Sequence, residues 1–210
     1  MKKIIILLLA VCLLIPSVSE AKNKQLEKAL KKEMKTKMKE YNKDGWKVFG
    51  TTRTLEVALA SHYDKLNSLG EDGYEVVGIA SRFKAKNVGK QMAANSACTN
   101  YAQLAGSTLK GRVVSDISAN GTDAEGEFEH FYSAYERLVE KEIRNEMQES
   151  FSVIRDNKDG TFELQTYYIV SESAASKARQ RALEDALKES ALAQAHANKI
   201  ADFVRAGFDK

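Results

Sequence analysis

The chain has 210 residues, is 43% hydrophobic and 29% charged, and carries a formal net charge of +3 with two cysteines and a single proline. That length suffices for one ordinary domain or two very small ones. So small a net charge argues against a general polyanion binder, and two cysteines are too few for a disulfide-stapled scaffold.

The first residues, MKKIIILLLAVCLLIPSVSEA, place two lysines before an apolar run from Ile4 to about Ile15, then Pro16 and the small residues Ser19 and Ala21 around Glu20. The run is too short for a membrane span, so residues 1–21 read as a secretory signal peptide cleaved after Ala21. A competing reading makes Cys12 the lipidated cysteine of a bacterial lipoprotein. Val11 is bulky for that role and the run stays apolar past Cys12, which favours cleavage. Removal of residues 1–21 leaves 189 residues with one cysteine, Cys98, and excludes an intrachain disulfide. Cys98 lies among small residues (AANSACTNYAQLAG), where a cysteine serves as a small apolar side chain; a reactive thiol is the rival reading.

From Lys22 to Lys43 there are nine lysines against three glutamates, so a basic arm, residues 22–43, precedes a near-neutral body, residues 44–210. Within the arm, Leu26, Leu30, Met34 and Met38 recur every four residues, which predicts an amphipathic helix over 24–42. Its lysines either face water or meet an anionic lipid or a cell-wall polymer; Lys31, Lys32, Lys35 and Lys39 are the candidates for that surface. The first NKDG, Asn42 to Gly45, ends the helix, and Trp46 to Phe49 start a short strand. In TLEVALASHYDKLNSLG, Leu55, Leu59, His62, Leu66 and Leu69 share a helical face with Gly70 as the stop, so His62 reads as a core-edge histidine rather than a ligand. The strand YEVVGIASRFKAK follows.

An alanine-rich helix is expected over about Val88 to Val114, with Ala93, Ala94, Ala97, Ala105 and Gly106 permitting close approach to a sheet or helix. The loop SDISANGTD is the best candidate for a partner contact, through Ser118, Asn120 and Thr122; Asn120 to Thr122 also fit the N-glycosylation sequon. Phe128, Phe131, Tyr132, Tyr135, Leu138, Val139 and Ile143 form one side of the next helix and read as core. SFSVIRDNKDGTFELQTYYIV reads as a hairpin around the second NKDG. Lys158 and Gly160 stand where an EF-hand loop needs oxygen ligands, so this turn is not a calcium site. A long alanine-rich helix from about Ala174 to Val204 closes the chain. Strand and alanine-rich helix succeed one another twice, after Gly73 and after Gly160, an echo that suggests a degenerate duplication of one unit.

The strand with Gly78, Ile79 and Ala80, the helix with Ala93, Ala94, Ala97, Leu104 and Ala105, the polar loop and the late hairpin together resemble the LPP20-type lipoprotein family of bacterial envelope proteins, over about residues 74–170. The resemblance implies a small α+β envelope domain with helices against an antiparallel sheet and no established enzymatic chemistry. It transfers no catalytic residues.

Signatures of chemistry are sparse. His62, His130 and His196 fall on three different expected helices, no HExxH, GxSxG, Walker loop or GxGxxG occurs, and no cofactor or metal motif is present. Glu136, Glu140, Glu142 and Glu146 alternate with Arg137, Lys141 and Arg144 as a solvated, ion-paired face. Export and lysines without interleaved aromatics argue against nucleic acid. The expectation is thus an α+β domain, a small mostly antiparallel sheet packed by long alanine-rich helices behind a basic amphipathic helix. It would act as an exported, non-catalytic binding or assembly module of the bacterial envelope, periplasmic or outer-envelope associated. The rival readings are a small-ligand-binding periplasmic protein and a hydrolase or redox enzyme using Cys98.

Overall fold

A computed structural model describes residues 17–116 and 124–208. The chain divides into two compact units, one ending at Asp44 and one spanning residues 45–210. The first is a 27-residue helix, α1 (Ser17–Lys43), whose start lies ahead of the expected Lys24 and includes Ser19 to Ala21. Residues 1–16 of the expected signal peptide, with Cys12, fall outside the described residues, and so do Ser118, Asn120 and Thr122.

The second unit is an α+β fold. Its elements are β1 (Lys47–Phe49), α2 (Leu55–Leu69), β2 (Gly73–Phe83), α3 (Lys86–Asp116), α4 (Ala124–Ile143), β3 (Gln148–Asp156), β4 (Phe162–Ser171), α5 (Glu172–Leu187), α6 (Ala191–Ala195) and α7 (Ala197–Arg205). The strands form one antiparallel sheet in the order β1-β3-β4-β2. Side chains alternate across it, so one face packs on α3 and the other packs on α2.

On the first face α3 lies close to β2. A Cβ on Gly78 would stand 1.9 Å from the Ala93 carbonyl oxygen, and one on Gly89 would meet the Phe83 ring at 2.3 Å. This proximity lets α3 cover the free edge of β2: Asn100 Nδ2 donates to the Val77 carbonyl at 3.2 Å and the Ile79 N–H donates to Ser96 Oγ at 3.3 Å. Those are backbone groups that an uncovered edge strand would offer to another chain. The other edge, β1, is only three residues long.

The opposite side of α3 meets α4, whose Phe128, Phe131, Tyr132, Tyr135, Leu138, Val139 and Ile143 are all buried. α5 and α7 close this helical core with Ala178, Ala182, Ile200 and Val204. Arg179, 2% exposed, is buried here; it donates to Tyr101 Oη at 2.6 Å and pairs with Glu172, while its Nε has no partner. Both partners are what make a buried guanidinium tolerable.

The C-terminal helix is not continuous as expected. It stops at Leu187, and Ser190, with extended backbone, accepts a hydrogen bond from the Ala193 N–H at 3.1 Å and so caps a new helix. A second break at His196 separates α6 from α7 and lets Ile200 and Val204 fold back onto the core. The suggested duplication is not a shared architecture either. The helix after β2 lies on the sheet, whereas the helix after β4 packs chiefly on α4.

The two NKDG segments do different work. The first terminates α1, with Gly45 at φ 77°; the second is the β3-β4 loop, with Lys158 and Gly160 at φ 61° and 83°. In that loop Asp156 accepts from the Lys158 N–H at 2.8 Å and Asp159 from the Thr161 N–H at 2.9 Å, so both carboxylates serve the turn.

Candidate functional site

The α2-covered face of the sheet holds the most concentrated chemistry among the described residues. Thr54 caps α2 by accepting from the Val57 N–H, and Gly70, at φ 58°, ends it. Between these signals Ala58, Leu59, His62 and Tyr63 are buried on the sheet. His62 is 1% exposed and sits edge-on to Tyr63, Phe151 and Tyr167, with ring centroids 5.3 to 5.8 Å away; Phe151 and Tyr167 stack on each other at 4.5 Å. A buried imidazole needs partners for both nitrogens. Here Nε2 meets Glu75 Oε2 at 2.5 Å and Nδ1 meets Ser150 Oγ at 3.0 Å.

Three different elements supply these groups. Glu75 belongs to the β2 face shared with Val77 and Ile79, opposite Ile169 of β4. Ser150 is the residue that the β3-β4 register skips, since Glu149 pairs with Tyr168 and Phe151 with Tyr167. Such a bulge breaks strict alternation and re-aims a side chain. It brings Ser150 to the same face as Phe151, against the histidine.

An ionised Glu75 can only accept, so it faces a protonated Nε2; in the neutral ring of that tautomer Nδ1 presents its lone pair to the Ser150 hydroxyl. Ser150 is half-buried and opens onto a cleft of about 220 Å³ lined also by Lys65, Ser68, Leu69, Gln148 and Ile169. The volume lies below the usual range for drug-sized ligands and suits a small group on an apolar floor.

The other sequence candidates lie elsewhere. Cys98 is 1% exposed on α3, and burial raises its thiol pKa despite the opposing Arg144 charge. In this position it is shielded both from reagents and from a disulfide with a second chain. His130 is exposed and 3.9 Å from Glu189, and His196 lies beside Phe128, so the three histidines have separate surroundings. No group of three or more metal-ligating side chains occurs among the described residues. Lys31, Lys32, Lys35 and Lys39 are all exposed on α1.

Sequence reasoning placed His62 facing inward, as a core-edge histidine rather than a ligand, and singled out neither Glu75 nor Ser150. A carboxylate inside the strand run YEVVGIA was a usable signal; the bulge that turns Ser150 was not. No protein-family description, curated protein or solved structure matches the chain. The class defined by the fold is therefore an α+β domain with a four-stranded antiparallel sheet.

Proposed function

We propose that the protein is an exported binding or assembly module of the bacterial cell envelope, held by its basic arm on an anionic surface of phosphate-bearing lipid or wall polymer. The observation that carries this reading is the exposure of Lys31, Lys32, Lys35 and Lys39 along α1, where Leu30, Met34 and Met38 are less exposed. The lysine-led apolar run and small-residue cleavage site of residues 1–21 support export. The resemblance of residues 74–170 to envelope lipoproteins supports the compartment.

A lysine near an anionic membrane contributes about 1 kcal/mol, so replacing all four by glutamine should weaken binding by roughly three orders of magnitude. Co-sedimentation with phosphatidylglycerol vesicles, phosphatidylcholine vesicles and purified wall sacculi measures this and separates lipid from polymer. Binding to the anionic material should fade as salt rises from 50 to about 500 mM. Equal retention of the parent and the fourfold variant on every surface would remove the arm's proposed role.

A further inference from the structure

Beyond the binding reading, we propose that Ser150 is a histidine-activated nucleophile for acyl transfer, with His62 as general base, Glu75 as the positioning residue, and short-chain esters as the substrate class. The argument starts from the division of exposure along the chain of hydrogen bonds. His62 is sealed under α2, Glu75 meets its Nε2, where an ionised carboxylate holds a proton, and the Ser150 hydroxyl at the far end borders the cleft. A nucleophilic serine requires a base within hydrogen-bond reach and a third group to orient that base. The ring nitrogens are exchanged relative to the familiar serine protease arrangement, but either nitrogen can accept the proton when a carboxylate holds the other.

The step balances without a cofactor. Ser150 Oγ adds to the ester carbonyl carbon as its proton passes to His62 Nδ1. The tetrahedral adduct expels the alkoxide, which takes that proton and leaves as an alcohol. Water then attacks the acyl-serine while His62 accepts its proton, the acid departs, and the proton returns to Ser150 Oγ. Glu75 stays ionised throughout. Lys65 and Gln148, which line the same cleft, offer a cation and an amide donor for the oxyanion, and Leu69 and Ile169 offer an apolar floor for a short acyl chain.

The test is incubation of the full chain with a fluorophosphonate, followed by peptide mapping, and turnover of p-nitrophenyl acetate. The expected result is one adduct on Ser150 in the folded protein, absent after unfolding in urea, with turnover abolished in S150A. General-base assistance predicts a loss of about 100-fold in H62Q. E75Q should lower kcat while leaving KM unchanged, a split that loss of fold would not produce. Because His62 is buried, H62Q is first checked for native circular dichroism; the adduct map on the parent protein decides the matter without any variant. No adduct on Ser150 under conditions that fully label a serine esterase would overturn the proposal, as would S150A turnover equal to the parent's.

Discussion

Replacing Gly78 by alanine tests the closest contact in the fold. The new Cβ would stand 1.9 Å from the Ala93 carbonyl oxygen, 2.8 Å from its carbon and 3.0 Å from the Ala97 Cβ. The nearest of these atoms belong to helix backbone and cannot rotate away. Ordinary contact begins at 3.4 Å, so α3 must lift from β2 by about 1.5 Å. That movement breaks the Asn100 and Ser96 bonds to the β2 edge, now 3.2 and 3.3 Å. Overpacking contributes about 1 to 3 kcal/mol and each lost bond about 1 kcal/mol, for a destabilisation of roughly 3 to 5 kcal/mol. Urea unfolding followed by circular dichroism reads this as a midpoint lowered by about 2 M at an unchanged slope of roughly 2 kcal/mol per M. Gly111 is the control: it is exposed in the same helix, with nothing within 4 Å of an added Cβ, so alanine there should stabilise by about 0.5 to 1 kcal/mol. If G78A and the parent unfold within about 0.5 kcal/mol of each other, the account of how α3 seats on the sheet is wrong.

Alkaline pH should weaken the fold through its tyrosines. Burial raises Tyr101 and Tyr135, and it pushes Tyr168 to about 12 with Glu149 acting in the same direction. The unfolded chain releases phenolic protons near pH 10 while the native state retains them, so stability is intact below pH 10 and declines from there towards pH 12. Urea midpoints at pH 8, 10 and 11 should fall in that order, with a smaller fall in Y168F; a flat series would contradict the burial argument. Cys98 should react with iodoacetamide at least about 100-fold more slowly in the native protein than in urea. Mass spectrometry follows this reaction, and comparable rates would mean that the α3 region opens readily.

The legible parts of this chain were those in which one periodicity decides the outcome. The aromatic stripe of α4 recurs at helical spacing, and every member from Phe128 to Ile143 that the pattern selects is buried. The β3-β4 hairpin was legible for a related reason: strand formers flank a turn in which Asp156 and Asp159 accept the hydrogen bonds and Gly160, with Lys158, takes a positive φ. Interruption without glycine or proline was harder to see. The segment from Lys188 to Ser190 carries only a serine cap as its signal, and the alanines on either side continue a helical pattern straight through it. His62 was recognisable as an inward-facing residue because α2 alone sets that direction. Its partners come from strands 13 and 88 positions away, and the second depends on a register shift no local pattern records.

The position of the cleft follows from a mismatch in length between the two sides of the sheet. α3, with 31 residues, extends about 46 Å and runs along β2 and β4 on its face. α2, with 15 residues, extends about 22 Å, while the 11-residue strand β2 beneath it extends roughly 36 Å. One short helix therefore leaves part of its face open, and Ile79, 52% exposed, is the apolar consequence. The polar consequence lies at the last turn of α2, where Lys65, Ser68 and Leu69 form one wall of the cleft and Ser150 faces them from β3. Burial beneath the middle of α2 strips water from His62, so its two hydrogen bonds gain strength from the low dielectric around them. A serine at the margin of the same helix keeps its hydroxyl within reach of a solute. This distribution of a buried imidazole and a hydroxyl at the water's edge, on which the acyl-transfer proposal rests, follows from where Gly70 stops the helix.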